Sequence, residues 1–237
     1  MWSESKQHGS WTNPYLQGVL DYNIEIAKEA VELGFDEIQF DYVRFPTASS
    51  KQVSYGENVP TKTEAISGFL KKANEEIKKV KDVTVSADIF GIVIESDRDG
   101  NAIGQQFDEM GLYIDYICPM IYPSHYANAS KGIFGNGVGQ KINGVLFTAP
   151  DLDPYGVIYQ ALLKTKSRIG EASEFKAKVR PYLQDFTIKM IEGYYQTYGV
   201  KQVREQIQAV YDAGYEEWIL WAGNNKYTES ALLPPGD

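Results

Sequence analysis

The stretch from Gly34 to Pro46, Gly-Phe-Asp-Glu-Ile-Gln-Phe-Asp-Tyr-Val-Arg-Phe-Pro, constrains the fold of this chain more than any other. Its apolar and polar residues alternate with a period of two, which is typical of a β-strand with two different faces. The residues predicted to form the packing face are Ile38, Phe40 and Tyr42. The opposite face then carries Gln39 and the carboxylate of Asp41.

Asp41 lies near the carboxyl end of this predicted strand, followed by Arg44 and the turn-forming Pro46. Helical patterns precede and follow the strand, so we expect it to be parallel to its neighbours and covered by helices on the apolar side. Folds of this class place their chemistry at the carboxyl ends of the strands. Asp41 is therefore the first candidate catalytic residue.

A second strand with the same arrangement is predicted over Val83 to Ile89. Its packing face consists of Val83, Val85, Ala87 and Ile89, and its inner face consists of Thr84, Ser86 and Asp88. Asp88 thus lies at the carboxyl end of its strand, as Asp41 does. Two consecutive strand–helix units are predicted to bring one acid each to the same rim.

The remaining periodic segments continue the alternation of helix and strand. Further strands are predicted over Asp115–Tyr122, Val179–Asp185 and Glu217–Ala222. Helices are predicted from Asn13-Pro14 to Gly34, with Leu16, Leu20, Ile24, Ala27 and Val31 on the packing stripe, and over Thr63–Lys81, Gly104–Gly111, Tyr155–Ile169 and Val200–Ala213. In the first of these, Asn13 is the expected N-cap and Pro14 the first helical residue.

Three connections are long or rich in turn-forming residues. Thr47–Lys62 is long for a compact domain and is a candidate substrate-contacting loop. Ala127–Thr148 is rich in Gly and Asn and is predicted to be a loop. Glu95–Asn101 is expected to be a solvated turn. In that turn Asp97, Asp99 and Asn101 have the alternate spacing of a calcium loop, but Ala102 stands where such a loop needs glycine.

Length and element order favour one domain over residues 1–237. The chain has 237 residues, close to the roughly 250 of a (β/α)8 barrel. Five strands with helical crossovers fit either an open doubly wound sheet or most of a barrel. No glycine-rich phosphate loop follows any predicted strand, so the barrel is favoured.

Composition limits the partners. Asp and Glu (32) exceed Lys and Arg (23), and the net charge of −9 argues against nucleic acid or an anionic membrane. The 17 Tyr and 4 Trp residues suit stacking on sugar rings, although tyrosine also packs well in ordinary cores.

Cys118 is the only cysteine and is expected to be an inert core residue. The sequence has no apolar run long enough to span a bilayer and no apparent signal segment, although a lost leader would leave the same sequence.

Four separated motifs occur in the order found in one known family. They are Phe-Asp-Tyr-Val-Arg-Phe-Pro (40–46), Ser-Ala-Asp-Ile-Phe-Gly (86–91), Tyr-Ile-Cys-Pro-Met-Ile-Tyr-Pro-Ser-His-Tyr (116–126) and Arg-Pro-Tyr-Leu-Gln-Asp-Phe (180–186). From about Trp11 onward the chain resembles a bacterial family of domains assigned as glycosyl hydrolases, whose activity is otherwise uncharacterised.

This resemblance implies a (β/α)8 TIM-barrel type of fold in which this chain supplies the fourth to eighth strands and lacks about the first three. An incomplete barrel would expose two parallel edges, which predicts marginal stability or association. The resemblance also implies an extracellular or cell-envelope location. The oligomeric state stays open.

A fainter likeness to chitinase-type and amylase-type barrels concerns the acids. Asp36 and Asp41 match two acids of the chitinase motif, but Gln39 and Val43 stand where the middle Asp and the catalytic Glu would be. In amylase-type barrels Asp41 would match the nucleophile and Asp88 the acid/base. Asp185 is a weaker candidate for a third acid, because its parity separates it from the other polar residues of its strand.

Glycoside hydrolysis needs two carboxyl groups across the scissile bond. We expect Asp41 and Asp88 to supply them, with Asp88 as the proton donor, and we expect no cofactor and no metal. The residues predicted to bind a carbohydrate substrate are Arg44, Tyr122, His125, Arg180, Gln184, Trp221 and Asn224.

Three alternatives remain. The acids could instead cap helices or pair with Arg44 or Arg180. The protein could be a catalytically silent carbohydrate-binding barrel at the cell envelope. A metal-dependent hydrolase, such as a polysaccharide deacetylase, is weakened by the presence of only two histidines, His8 and His125.

Overall fold

A computed structural model describes residues 11–48, 51–172 and 174–232 of the chain. His8 and the polar residues Ser49 and Ser50 of the predicted long loop lie outside these ranges. The chain divides into two compact units, which are described separately below. The first unit comprises residues 1–89, 96–117 and 174–178, and the second comprises residues 90–95, 118–173 and 179–237.

Helices and strands alternate through most of the chain. The strands are β1 (Glu37–Phe40), β2 (Thr84–Phe90), β3 (Tyr116–Met120), β4 (Gln140–Ile142), β5 (Val145–Phe147), β6 (Lys178–Val179), β7 (Tyr182–Gln184) and β8 (Ile219–Trp221). The helices are α1 (Gln17–Glu32), α2 (Lys62–Val80), α3 (Ile92–Glu95), α4 (Asp97–Ile103), α5 (Phe107–Met110), α6 (Pro154–Glu171) and α7 (Val200–Asp212). None of the helices within the described ranges combines the length and apolar character needed to cross a bilayer.

In the first unit, β1 and β2 pair in parallel, as predicted, with Glu37 opposite Thr84 and Phe40 opposite Ala87. The amide of Asp115, just before β3, donates to Val85 of β2 and continues the pairing. The unit therefore presents the carboxyl ends of β1 and β2 side by side.

Helix α1 begins later than predicted. Leu16 is its N-cap and Asn13 is not, because Asn13 instead accepts the Tyr15 amide at 3.0 Å in a turn that precedes the helix. Leu16 was predicted to pack but is 55% exposed. Ile24, Ala27 and Val31 are buried, so the predicted apolar stripe is confirmed over the later turns.

Helix α2 is confirmed within a residue at each end. Thr61 and Glu64 form a capping box, in which the Thr61 amide donates to the Glu64 carboxylate at 2.7 Å. Such a box satisfies amides that the first helical turn leaves without partners. Ile66, Leu70 and Ile77 lie on one apolar stripe of this helix and are buried.

The segment between β2 and β3 corrects two predictions. Glu95–Asn101 is not a solvated turn, because most of it belongs to α3 and α4. Helix α4 starts at an N-cap, Ser96, whose hydroxyl accepts the Asp99 amide at 3.3 Å. The helix predicted over Gly104–Gly111 is shorter, because Gly104 adopts a φ of 82° and ends α4 before α5 begins.

In the second unit, the end of β3 pairs in parallel with β7 through Met120 and Tyr182. β7 pairs in parallel with β8, and α6 packs on α7. The single strand predicted over Val179–Asp185 is interrupted at Arg180-Pro181, since proline lacks the amide that a strand ladder needs.

The predicted loop 127–148 contains an antiparallel hairpin of β4 and β5. The two residues between these strands, Asn143 and Gly144, have φ angles of 48° and 82°, respectively. An Asn-Gly pair with positive φ at both positions is the preferred two-residue hairpin turn. The dipeptide was a readable signal that the prediction of a plain loop missed.

Candidate functional site

Asp41 follows the last residue of β1 and is exposed to solvent. Its carboxylate accepts the amide of Tyr42 at 2.6 Å. Tyr42 has a φ of 53°, in the left-handed region, and its residue is 68% exposed. The prediction that Tyr42 continues the packing face is therefore wrong, because β1 ends at Phe40 and the backbone turns over immediately afterwards.

Arg44 lies beside two aromatic rings at this rim. Its guanidinium carbon is 4.7 Å from the ring centre of Trp11 and 5.2 Å from that of Tyr42. One of its nitrogens also donates to the Phe45 carbonyl at 3.1 Å. Asp41 and these three side chains, Trp11, Tyr42 and Arg44, line one cavity of about 610 Å³, and we call them the rim cluster.

Asp88 is 5% exposed near the end of β2. Its carboxylate accepts the Gln39 side-chain amide at 2.7 Å. The buried Gln105 amide donates to the Asp88 carbonyl at 3.0 Å and to the Val43 carbonyl at 3.4 Å, so it ties the ends of β1 and β2 together. Asp88 is not among the residues that line the cavity of the rim cluster. The two predicted acids lie on adjacent strands, and of the two only Asp41 lines the cavity of the rim cluster.

A second polar pair lies earlier along the same two strands. The Ser86 hydroxyl donates to the Glu37 carboxylate at 2.6 Å, as Gln39 does to Asp88. Glu37 and Gln39 are two residues apart on β1, and Ser86 and Asp88 are two residues apart on β2. Side chains with this spacing lie on the same face of a sheet. Sequence reasoning identified Ser86 and Asp88 on this face but missed Glu37 as the partner of Ser86.

In the second unit, Tyr122 and His125 line an aromatic pocket of about 530 Å³. The His125 ring lies 5.3 Å from Tyr122, 5.4 Å from Phe134 and 5.7 Å from Phe186, measured between ring centres. The full lining of this pocket is Phe90, Gly91, Ile92, Met120, Tyr122, His125, Tyr126, Ala127, Phe134 and Gln140. Apolar walls with few polar groups are typical of small-molecule sites.

The aromatic neighbours of His125 change its chemistry. Although the residue keeps some exposed surface, desolvation of the ring lowers the pKa of His125. A histidine with a lowered pKa is neutral at pH 7 and can donate one hydrogen bond and accept another. Its Nδ1 lies 3.1 Å from the Ser124 hydroxyl, so the tautomer sets which of the two donates.

Tyr126 was not predicted as a site residue, yet it lines the same pocket. It is 5% exposed, and its hydroxyl has no hydrogen-bond partner among the described residues. A Cβ atom added to Gly91 would come within 2.6 Å of this hydroxyl, so only glycine gives it room. Burial raises the pKa of Tyr126, and the nearby charge of Glu95 raises it further.

Gln184 lies behind the strand ends of the second unit and is fully buried. Its side chain accepts the Ser124 amide at 3.0 Å and donates to the Phe186 carbonyl at 2.9 Å and to Asp151 at 3.4 Å. Asp151, 1% exposed, also accepts the Gln196 amide at 3.1 Å, and burial raises its pKa. We call Gln184, Asp151, Ser124 and Gln196 the buried network. Gln184 does not reach the surface in this structure. Its position therefore does not support direct contact with a substrate, and that contact stays a prediction.

The other predicted residues of the second unit lie apart from this pocket's lining. Trp221 ends β8, is 45% exposed and contacts Tyr182 edge to face at 6.4 Å. Asn224 is exposed and its side chain accepts the Lys226 amide at 2.9 Å. Arg180 is half-buried between β6 and β7. Asp185, the weaker candidate acid, accepts the Thr228 amide and hydroxyl at 2.6 Å each.

Within the described ranges, no three His, Cys, Asp or Glu side chains are grouped closely enough to hold a metal ion. Cys118 is fully buried in β3, as predicted for a core residue.

A comparison with protein families identifies the class of protein to which this chain belongs. A family model described as "Putative glycosyl hydrolase domain" matches residues 1–227. The chain belongs to this family. A search of curated protein sequences found no relative of the chain.

Several solved structures have a similar fold. The glycoside hydrolase domain of PgaB (BpsB) from Bordetella bronchiseptica is 12% identical with a TM-score of 0.58, over 93% of this chain and 61% of that one. The spore cortex-lytic enzyme SleL from Bacillus megaterium QM B1551 is 14% identical with a TM-score of 0.56, over 92% and 53%. A chitinase from Chromobacterium violaceum ATCC 12472 is 12% identical with a TM-score of 0.56, over 92% and 72%.

These similarities confirm the predicted (β/α)8-barrel type of fold. The chain spans 61% of the first of these structures and 53% of the second, which agrees with a partial barrel. At such low identity the likeness concerns the fold alone.

Proposed function

We propose that this protein is a glycoside hydrolase that cleaves a poly- or oligosaccharide with Asp41 and Asp88 as its two carboxyl groups. The observation that carries the proposal is the position of these acids at the carboxyl ends of two strands paired in parallel. Membership of a family described as glycosyl hydrolases supports the reaction class.

The two acids have different surroundings, which suits different roles. Hydrolysis of a glycosidic bond needs one group to protonate the leaving oxygen and another to attack the sugar or activate water. Asp41 is exposed and accepts one local hydrogen bond, from Tyr42. It is available to a substrate in the cavity of the rim cluster, and we assign it the role of nucleophile or base.

Asp88 is assigned the role of proton donor. Its carboxyl group accepts the Gln39 side-chain amide at 2.7 Å, and in this role it would donate a proton to the leaving oxygen of the substrate. Replacement of Gln39 by Glu would place a second carboxyl group there and is expected to change the pH dependence of the rate.

Carbohydrate contacts are assigned by position. Arg44 belongs to the rim cluster, and Tyr122 and His125 belong to the aromatic pocket. Trp221, Asn224 and Arg180 stay as proposed contacts. Gln184 is assigned a positioning role, since it holds the Ser124 amide next to His125.

The test is the release of reducing ends from a panel of bacterial and plant polysaccharides. Wild type, Asp41→Asn and Asp36→Asn are compared, because Asp36 is an exposed acid at the opposite end of the same strand. We expect Asp41→Asn to lose roughly a thousandfold in rate and Asp36→Asn to keep wild-type activity. Wild-type activity in Asp41→Asn would refute the assignment.

A second candidate is a catalytically silent carbohydrate-binding protein. It is favoured by one observation, that Asp88 accepts a hydrogen bond from Gln39 and is not part of the lining of the rim-cluster cavity. This candidate predicts glycan binding that survives the loss of both acids, with no product formed by wild type.

A further inference from the structure

Tyr42 is held in a backbone conformation that its side chain disfavours. Its φ of 53° lies in the left-handed region, where bulky residues are rarely found. Glycine or asparagine would occupy this position with less strain. Such strain persists where the surrounding structure enforces it, and it is concentrated at functional sites.

Core packing does not account for the aromatic ring at this position. Tyr42 is 68% exposed, so little apolar surface is buried in return for the strain. The conformation turns the residue away from the packing face on which Phe40 contacts Phe69 of α2, with ring centres 5.1 Å apart. The result is a tyrosine presented to the cavity of the rim cluster.

Neighbouring groups hold the ring in place. The guanidinium of Arg44 lies 5.2 Å from the ring centre of Tyr42, and the Trp11 ring is 6.3 Å away in an edge-on arrangement. Cation–π and aromatic contacts of this kind restrict the orientation of an otherwise exposed side chain. Ordering before binding lowers the entropy lost when a ligand binds.

The ring is also fixed relative to Asp41. The two residues are consecutive, and the Tyr42 amide donates to the Asp41 carboxylate at 2.6 Å. Both line the same cavity of about 610 Å³. A ligand that reaches Asp41 in this cavity therefore meets the Tyr42 ring.

We propose that Tyr42 is the platform on which a sugar ring stacks next to the glycosidic bond that Asp41 helps to cleave. The proposal rests on the proposed function and adds the substrate class. The sugar is a pyranose whose hydroxyl groups are mostly equatorial, because its C–H groups then form an apolar face that fits a flat aromatic ring. The strained backbone at Tyr42 positions the ring and the carboxylate together.

The experiment measures binding of cellohexaose, chitohexaose and laminarihexaose by calorimetry, with Asp41→Asn in every protein so that no probe is consumed. Tyr42→Asn removes the ring but tolerates the positive φ, and Tyr42→Phe keeps the ring as the conservative variant. Tyr22→Asn is the matched control, because Tyr22 is 67% exposed on α1 and does not line the cavity.

We expect Tyr42→Asn to weaken binding of at least one probe roughly tenfold, the value of one good aromatic contact. Tyr42→Phe is expected to bind within about threefold of the parent. Tyr22→Asn is expected to bind as the parent does. The melting temperature of Tyr42→Asn should equal or exceed that of the parent, since the strain is relieved, which separates loss of binding from loss of fold.

Equal affinity of Tyr42→Asn and its parent would overturn the proposal, as would binding of none of the three probes. In the separate reducing-end assay, a wild type that forms no product would refute the proposed hydrolase and leave the Tyr42 binding comparison measurable. The two failures are therefore distinguishable.

Discussion

The strand ends of the two units use polar residues in opposite ways. In the first unit, Asp41 and Tyr42 are exposed, and Tyr42 is strained. In the second unit, Gln184 and Asp151 are almost fully buried, and their polar atoms bond to one another and to the backbone. In the first arrangement the polar groups are available to a ligand, and in the second they form internal hydrogen bonds.

This difference indicates which substitutions should affect activity and which should affect stability. A buried hydrogen bond costs most when one partner is removed, because the other is left without a partner away from water. An exposed side chain costs little to replace. Substitutions in the rim cluster should therefore change function with little change in stability, and substitutions in the buried network should do the reverse.

The largest stability effect is expected for Gln184→Ala. Its loss would leave the Ser124 amide without a partner, remove one of the hydrogen bonds to Asp151 and open a cavity, at a cost of about 2–4 kcal/mol in the free energy of unfolding. Chemical denaturation measures this cost. Gln208→Ala, an exposed glutamine on α7, is the control and should stay within about 0.5 kcal/mol of wild type. Equal effects of the two would break the comparison.

A smaller loss is expected for Gly91→Ala at the wall of the aromatic pocket. The new Cβ would lie 2.6 Å from the Tyr126 hydroxyl and 2.8 Å from the Met120 carbonyl, so the backbone must shift. We expect a loss of about 1–3 kcal/mol. Gly68→Ala, in helix α2 with nothing within 4 Å of the new Cβ, should instead gain up to about 1 kcal/mol. Thermal and chemical denaturation of both variants would check the opposite signs.

The smallest effect concerns pH. Burial lowers the pKa of folded His125 below that of an unfolded imidazole, so protonation favours the unfolded chain. The stability that His125 contributes is thus fully present above about pH 6.5 and is lost as pH falls through the folded pKa. Between about pH 7.5 and about pH 5, wild type should lose more stability than His125→Gln, by less than about 1 kcal/mol because part of the ring is hydrated. A parallel pH dependence in both proteins would contradict this.

The periodic parts of the fold could be predicted from the sequence. The apolar stripe of α2 and the alternation in β1 and β2 are repeated signals, and burial of one face is what such signals record. The same alternation identified Asp88 and Ser86 on one face. The predicted position of Tyr42 on the packing face was wrong, because the alternation of residues does not show where the strand ends.

Other features depend on distant partners and could not be read locally. The role of Gln184 depends on Ser124 and Asp151, which are 60 and 33 residues away. The close contact of Tyr126 with Gly91 likewise joins residues far apart in the sequence. The Asn143-Gly144 hairpin and the Ser96 cap were readable signals, so these two misses come from interpretation rather than from missing information.

The most direct test of the account measures rate and affinity on the same glycan, with wild type and Asp41→Asn side by side. The glycan is whichever polysaccharide releases reducing ends with wild type, and its affinity is measured by calorimetry on short incubations. We expect Asp41→Asn to lose roughly a thousandfold in rate while its affinity stays within about threefold of wild type. A rate that survives, or an affinity that falls as far as the rate, would contradict the claim that Asp41 carries the chemistry.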